Sequence, residues 1–207
     1  EQNRGRDISS YLVVTRKVLM RYSYVCLIHD KKTASLSEGE RFSFFSHCVR
    51  SLLASKAYVS RILEAFDSNP ELGILMPPCP PSWKLRKAEY DLELGCREWM
   101  ERLIREFSLN APLDTTPDAP YGDMLWLRTA ACRKIFMHDW SFEDFPPEPE
   151  PSLSGSTILH AIERLWPQFA ADAGYTSAWV MTPETALSVM NSAWYRESRL
   201  TRLCMNT

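Results

Sequence analysis

Four stretches of the sequence group charged residues, imidazoles and glycines in ways that chemistry on a phosphorylated or hydroxylated ligand would use. In Asn3-Arg4-Gly5-Arg6-Asp7, two guanidiniums flank a glycine ahead of a helical pattern. Arginine offers paired donors to phosphate oxygens and a helix start adds partial positive charge, so a diphosphate could bind here. A solvated tail near the chain end fits the same residues. In His29-Asp30-Lys31-Lys32, after a short apolar run, the lysines could neutralise a leaving phosphate. Asp30 could hold a divalent metal, although one aspartate makes a thin site, and a solvated turn is the plainer reading.

The third stretch is an acidic loop with the helix after it: Asp144, Glu148, His160, Glu163 and Arg164. His160 and Glu163 are three apart and His160 and Arg164 four apart, which puts them on neighbouring positions of one helical face. Such a face could present a catalytic base and phosphate-binding groups to one pocket, or only a surface ion pair beside a core histidine. The HExxH arrangement of zinc proteases is absent, so that reading is rejected. The fourth stretch runs from Gly122 to Arg128. Its glycine permits close approach of a ligand, Asp123 could accept hydrogen bonds from sugar hydroxyls, and Trp126 could offer an aromatic face to a sugar. Packing is the alternative for Trp126 and the stronger reading for Met124.

The elements that must carry these groups alternate. Residues 8–21 read as a helix capped by Asp7 or Ser9. Residues 22–30 read as a buried strand that delivers His29 and Asp30 past its end, where open α/β sheets bind ligands. Residues 40–67 predict two helices broken between Leu53 and Lys56 and closed by Asn69-Pro70. A second strand at 72–77 leads into a proline-rich stretch, and 84–107 is helical with Trp99, Leu103 and Phe107 on one stripe. A Pro- and Asp-rich loop at 110–120 precedes a third strand at 122–128 and a helix from Thr129 to Phe136 capped by Thr129. Residues 142–156 read as an ordered active-site loop or lid, followed by a helix that Gly174 ends, a strand from Tyr175 to Met181 and a last helix from Thr182. Strands alternating with helices indicate an α/β architecture.

Composition narrows the partners. At 207 residues, 45% hydrophobic and 24% charged, the chain suits one well-buried domain, 1–207. A formal net charge of -2 provides no global positive field for a nucleic-acid backbone. The six cysteines form no CxxC pair and sit mostly in apolar stretches, which predicts buried thiols and a reducing compartment. No apolar run reaches the ~20 residues of a membrane-spanning helix. The chain opens at Glu1 without an initiating Met, which raises the expectation of a piece of a longer protein.

Taken in order, five segments resemble the rhamnan synthesis protein F family: NRGRD, YVCLIHDKKT, NPELGILMP, YGDMLWLR and DFPPEPEPSLSGSTILHAIERL. The resemblance runs from residue 3 to about 175 and leaves 182–207 as a C-terminal helical extension. It implies a GT-A-like nucleotide-sugar transferase fold that lacks the usual N-terminal βαβ unit. It also implies transfer of a deoxyhexose, typically L-rhamnose from a dTDP donor, to a growing glycan or lipid-linked glycan on the cytoplasmic side of the bacterial envelope, with peripheral membrane association in reach. By motif match, Arg4, Arg6 and Asp7 fall near the nucleotide. His29, Lys31 and Lys32 fall near its diphosphate, and Asp144, Glu148, His160, Glu163 and Arg164 line the acceptor side. Asp123 and Leu125 depart from the family pattern, which leaves the sugar preference open. No cofactor is certain; Mg or Mn is the candidate, and the resemblance does not extend to a metal at Asp30.

For an inverting transfer, Glu148 and Asp144 are the candidate bases, on a loop that could close over substrate. The competing reading from another class is a non-catalytic carbohydrate-binding or interaction module. Metal-dependent hydrolysis at His29, Asp30 and His160 lacks a compact ligand set.

Overall fold

The computed structural model describes residues 4–30, 37–79, 85–111, 119–147 and 157–191, with the backbone alone at 85–95 and at Tyr121. Its centre is a four-stranded sheet made of β1 (Tyr24–Leu27), β2 (Leu72–Met76), β3 (Leu125–Arg128) and β4 (Thr176–Trp179). The spatial order is β1-β3-β2-β4. β3 pairs antiparallel with both β1 and β2, and β4 adds to β2 in parallel. The sheet is therefore mixed.

Side chains alternate across the sheet and divide the core in two. Leu125 and Leu127 point into one cluster with Ile74 and Met76, while Met124 and Trp126 point into another with Leu72 and Leu75. On the second face lie α3 (Glu38–Leu53) and α4 (Lys56–Ser68), which contribute Phe44, Cys48, Leu52, Ile62 and Phe66. On the first lie α1 (Arg6–Ser9), α2 (Arg16–Leu19), α5 (Leu85–Glu106), α6 (Arg133–Met137) and α7 (Ile158–Asp172). Helices on both faces of a sheet make a three-layer α/β arrangement.

Local chemistry explains several boundaries. Ser37 opens α3 with a reciprocal capping box to Glu40, and Ser55 opens α4 by accepting from Tyr58 N, so the break after Leu53 falls where the sequence predicts it. β2 is buried along its whole length, which matches its continuous apolar run. Thr182 Oγ1 accepts from Thr185 N and starts a helix at 183–191. Two expected caps are different. The first helix has no side-chain cap from Asp7 or Ser9; it starts at Gly5 in the left-handed region and passes through a π-helical turn at Ser10–Val14. Thr129 does not cap α6 either: its hydroxyl donates to Tyr22 O and ties the end of β3 to the segment before β1.

Cys26, Cys96 and Cys132 are free thiols, and Cys48, Cys96 and Cys132 are buried, as the sequence predicts. No helix among the described residues is long and apolar enough to cross a membrane.

Candidate active site

The β1–β3 register sets the site. Leu27 stands opposite Leu125 in an antiparallel pair, so the same register carried two residues further brings His29 level with Asp123. Four segments meet there: α1 with Asp7, the end of β1 with His29, the turn before β3 with Gly122 and Asp123, and α7 with Glu163.

The turn is built to aim Asp123 inward. Gly122 (φ 70°) and Asp123 (φ 57°) are successive left-handed residues, and Asp123 N donates to Pro120 O at 3.0 Å. Glycine adopts that conformation without penalty and aspartate tolerates it. The turn is held from both sides: Gly122 N donates to Glu163 Oε1 at 2.9 Å, and His29 Nε2 donates to Gly122 O. Pro167 within α7 removes the amide that would reach the Glu163 carbonyl, so the helix is locally freed at the residue that holds the turn.

Asp123 is 2% exposed, and its Oδ1 accepts from Trp166 Nε1. Burial, followed by the neighbouring Asp7 and Glu163 carboxylates, pushes its acid well above the usual carboxylate range; the Trp166 bond opposes the shift. His29 Nε2 lies 3.3 Å from Asp7 Oδ2, within ion-pair distance, and His29 Nδ1 lies 2.7 Å from Asp30 O. Both ring nitrogens thus face carbonyl oxygens.

The first stretch divides. Asp7 turns into the cluster, but Arg4 Nε donates to the carbonyls of Phe142 and Phe145, both at 2.9 Å, and Arg4 pairs across to Pro147. Arg4 therefore straps the 142–147 loop to the chain start. Arg6 is exposed. The third stretch divides as well. Glu163 reaches the turn, whereas Arg164 is 7% exposed and donates from Nη1 to His160 O at 2.6 Å and to Cys96 Sγ at 3.6 Å, joining α7 to α5. His160 Nδ1 is hydrogen-bonded with the Thr157 hydroxyl at 3.0 Å. Asp144 is exposed, and its Oδ2 accepts from Ser141 N and Oγ, capping a short turn at Phe142–Asp144.

Trp126 needs correcting as a sugar platform. It is 8% exposed, belongs to the α3–α4 core and donates its indole N–H to Leu52 O, because the two-residue alternation from Met124 sends it to that face. Lys31, Lys32 and Glu148 lie outside the described residues. Among the described residues no three of His, Cys, Asp and Glu are arranged to hold a metal ion, at Asp30 or elsewhere.

Two residues of the cluster were not singled out from the sequence. Tyr11 is buried beside Asp7 and Asp123, and burial, with those two carboxylates next, raises its hydroxyl far above the usual range. Trp166 supplies the only indole that reaches Asp123 among the described residues. Spacing held the signal: Tyr11 is four residues after Asp7, and Trp166 three after Glu163, each on the same helical face as its carboxylate.

No curated protein and no solved structure matches the chain. A family model described as rhamnan synthesis protein F matches residues 1–175, which contain every element of the cluster. By that match, the chain belongs to the rhamnan synthesis protein F family.

Proposed function

We propose that the chain is the acceptor-side, catalytic part of a glycosyltransferase of the GT-A kind, moving a deoxyhexose such as L-rhamnose from a dTDP donor to a growing glycan or lipid-linked glycan. The observation that carries this reading is the meeting of Asp7, His29, Asp123 and Glu163 at one end of the sheet, within the segments that match a rhamnan synthesis family. Displacement at a sugar carbon needs a carboxylate to take the acceptor proton and fixed donors or cations for the leaving diphosphate. The cluster supplies the carboxylates and an imidazole; Lys31 and Lys32, next in sequence after Asp30, are the proposed cations for the diphosphate. Successive left-handed residues at Gly5-Arg6 and Gly122-Asp123 flank the cluster, and backbone of this kind gathers at functional sites. On this reading the chain works on the cytoplasmic side of the bacterial envelope.

Calorimetry with dTDP and dTDP-rhamnose, followed by an assay of transfer to a rhamnan oligosaccharide, tests it. The transferase binds the nucleotide and loses transfer in Asp7→Asn while keeping nucleotide affinity. Binding of the oligosaccharide with no heat from nucleotide and no turnover would instead identify a non-catalytic carbohydrate-binding module.

A further inference from the structure

Three buried polar atoms of the cluster have no hydrogen-bond partner: Asp7 Oδ2, Asp123 Oδ2 and the Tyr11 hydroxyl. The Asp7 and Asp123 side chains stand at hydrogen-bonding distance from each other. Two ionised carboxylates have only lone pairs to offer, so neither can satisfy the other. A single proton between them satisfies both, which is how closely spaced carboxyl pairs behave.

The surroundings decide which residue holds the proton. Asp123 is enclosed by Asp7 and Tyr11 from the first helical segment, by Glu163 and Trp166 from α7 and by the His29 end of β1. Only the Trp166 N–H favours its ionised form, while burial and two carboxylates oppose it. Cys26 of β1, which packs on the opposite face of the sheet, is pushed up by burial to about 12 and brings no charge at neutral pH. Asp7 has His29 within 3.3 Å of its buried oxygen and keeps some exposure on the rest of its side chain. The charge belongs on Asp7 and the proton on Asp123.

We infer that Asp123 stands as a neutral carboxylic acid donating to Asp7 Oδ2, and that Asp7, anchored on that inner oxygen, presents Oδ1 to the acceptor hydroxyl as general base. This rests on the transferase reading for the identity of the acceptor, but not for the shared proton. In the step, the acceptor O–H proton passes to Asp7 Oδ1. The acceptor oxygen bonds to the sugar carbon, and that carbon's bond to the diphosphate breaks with its electron pair leaving on the diphosphate. Asp123 keeps its proton throughout and acts as a positioning residue.

Asparagine is a close mimic of the neutral acid at 123. Its oxygen can accept from Trp166 and its amide can donate to Asp7, so Asp123→Asn keeps kcat within about tenfold of the parent. Asp123→Leu, which has no donor, loses more, and Asp7→Asn loses on the order of 10²- to 10⁴-fold. Infrared spectroscopy of the unliganded chain at neutral pH supplies a readout that needs no turnover. A protonated-carboxyl C=O band is expected, lost in Asp123→Asn and retained in Asp144→Asn. Absence of that band, or a folded Asp123→Asn variant as impaired as Asp7→Asn, overturns the inference. A transferase lacking the band would defeat the proton-sharing pair alone, whereas a band without transfer would defeat the transferase reading alone.

Discussion

The indole N–H of Trp166 donates to Oδ1 of Asp123 across 2.5 Å, and Trp166 is fully buried where it also packs against Phe136. A polar contact so enclosed links the α7 core to the turn before β3. Replacing Trp166 with Phe keeps most of the packing and removes the donor. The expected cost is about 1–3 kcal/mol, the range for stranding a buried polar partner. Urea denaturation of the two proteins measures it, and equal midpoints would show that the bond contributes nothing to stability.

Asp123 also predicts a pH dependence of folding. Its acid is raised well above the usual range by burial first and by Asp7 and Glu163 next, so the folded state holds a proton that the unfolded chain releases. The contribution of a raised group is complete below its unfolded pKa and declines as pH rises toward its folded value. Wild-type stability therefore falls as pH climbs out of the ordinary carboxylate range, and Asp123→Asn flattens that part of the curve. Parallel curves for the two proteins would contradict it.

Asp172 carries the opposite sign. Burial would raise it, yet the Asn110 N–H at 2.8 Å and the Lys134 ammonium at 2.7 Å together hold it below the usual range. Its contribution is present at neutral pH and is lost as pH falls through the depressed folded value. Lys134→Met, which removes the cation but not the Asn110 bond, reduces stability at pH 7 and shrinks the acid-side loss. A loss of the same size at pH 7 and at low pH would rule out the ion pair as its cause.

Gly5 has φ 76°, and a Cβ placed there would lie 2.8 Å from Phe145 Cβ and Ser9 Cβ. Gly5→Ala combines backbone strain of about 1–3 kcal/mol with that collision. The strap made by Arg4 and by Gly5 N to Pro146 O should loosen, which hydrogen exchange at 142–147 reads directly. Unchanged protection there would mean that the loop is held by other contacts.

Much of the framework was legible because it is local. The serine cap of α4, the apolar run of β2 and the glycine after α7 each act over a few residues, so their chemistry is visible in a short window. The site was legible only in part. His29, Gly122, Asp123 and Glu163 stood out by type and context, and they do meet. Tyr11 and Trp166 were not singled out: their spacing puts each on one helical face with a carboxylate, but no linear window shows that both reach Asp123. Arg4 and Arg164 carry the charge that a phosphate site would want, but backbone carbonyls from distant segments occupy Arg4 Nε and Arg164 is taken into the α5–α7 contact.

The sequence by itself determined the alternation of strands and helices, the buried thiols and the chemical types available at the ends of the strands, since periodicity and side-chain chemistry depend on near neighbours. Tertiary structure alone decided the antiparallel place of β3 between β1 and β2. Its pairing with β1 joins residues about a hundred positions apart and brings His29 level with Asp123. It also decided that Trp126 faces the opposite core and that Asp7 turns inward to share Asp123's surroundings. Each outcome depends on which distant segment excludes water from a side chain, and burial of that kind arises only when the layers close.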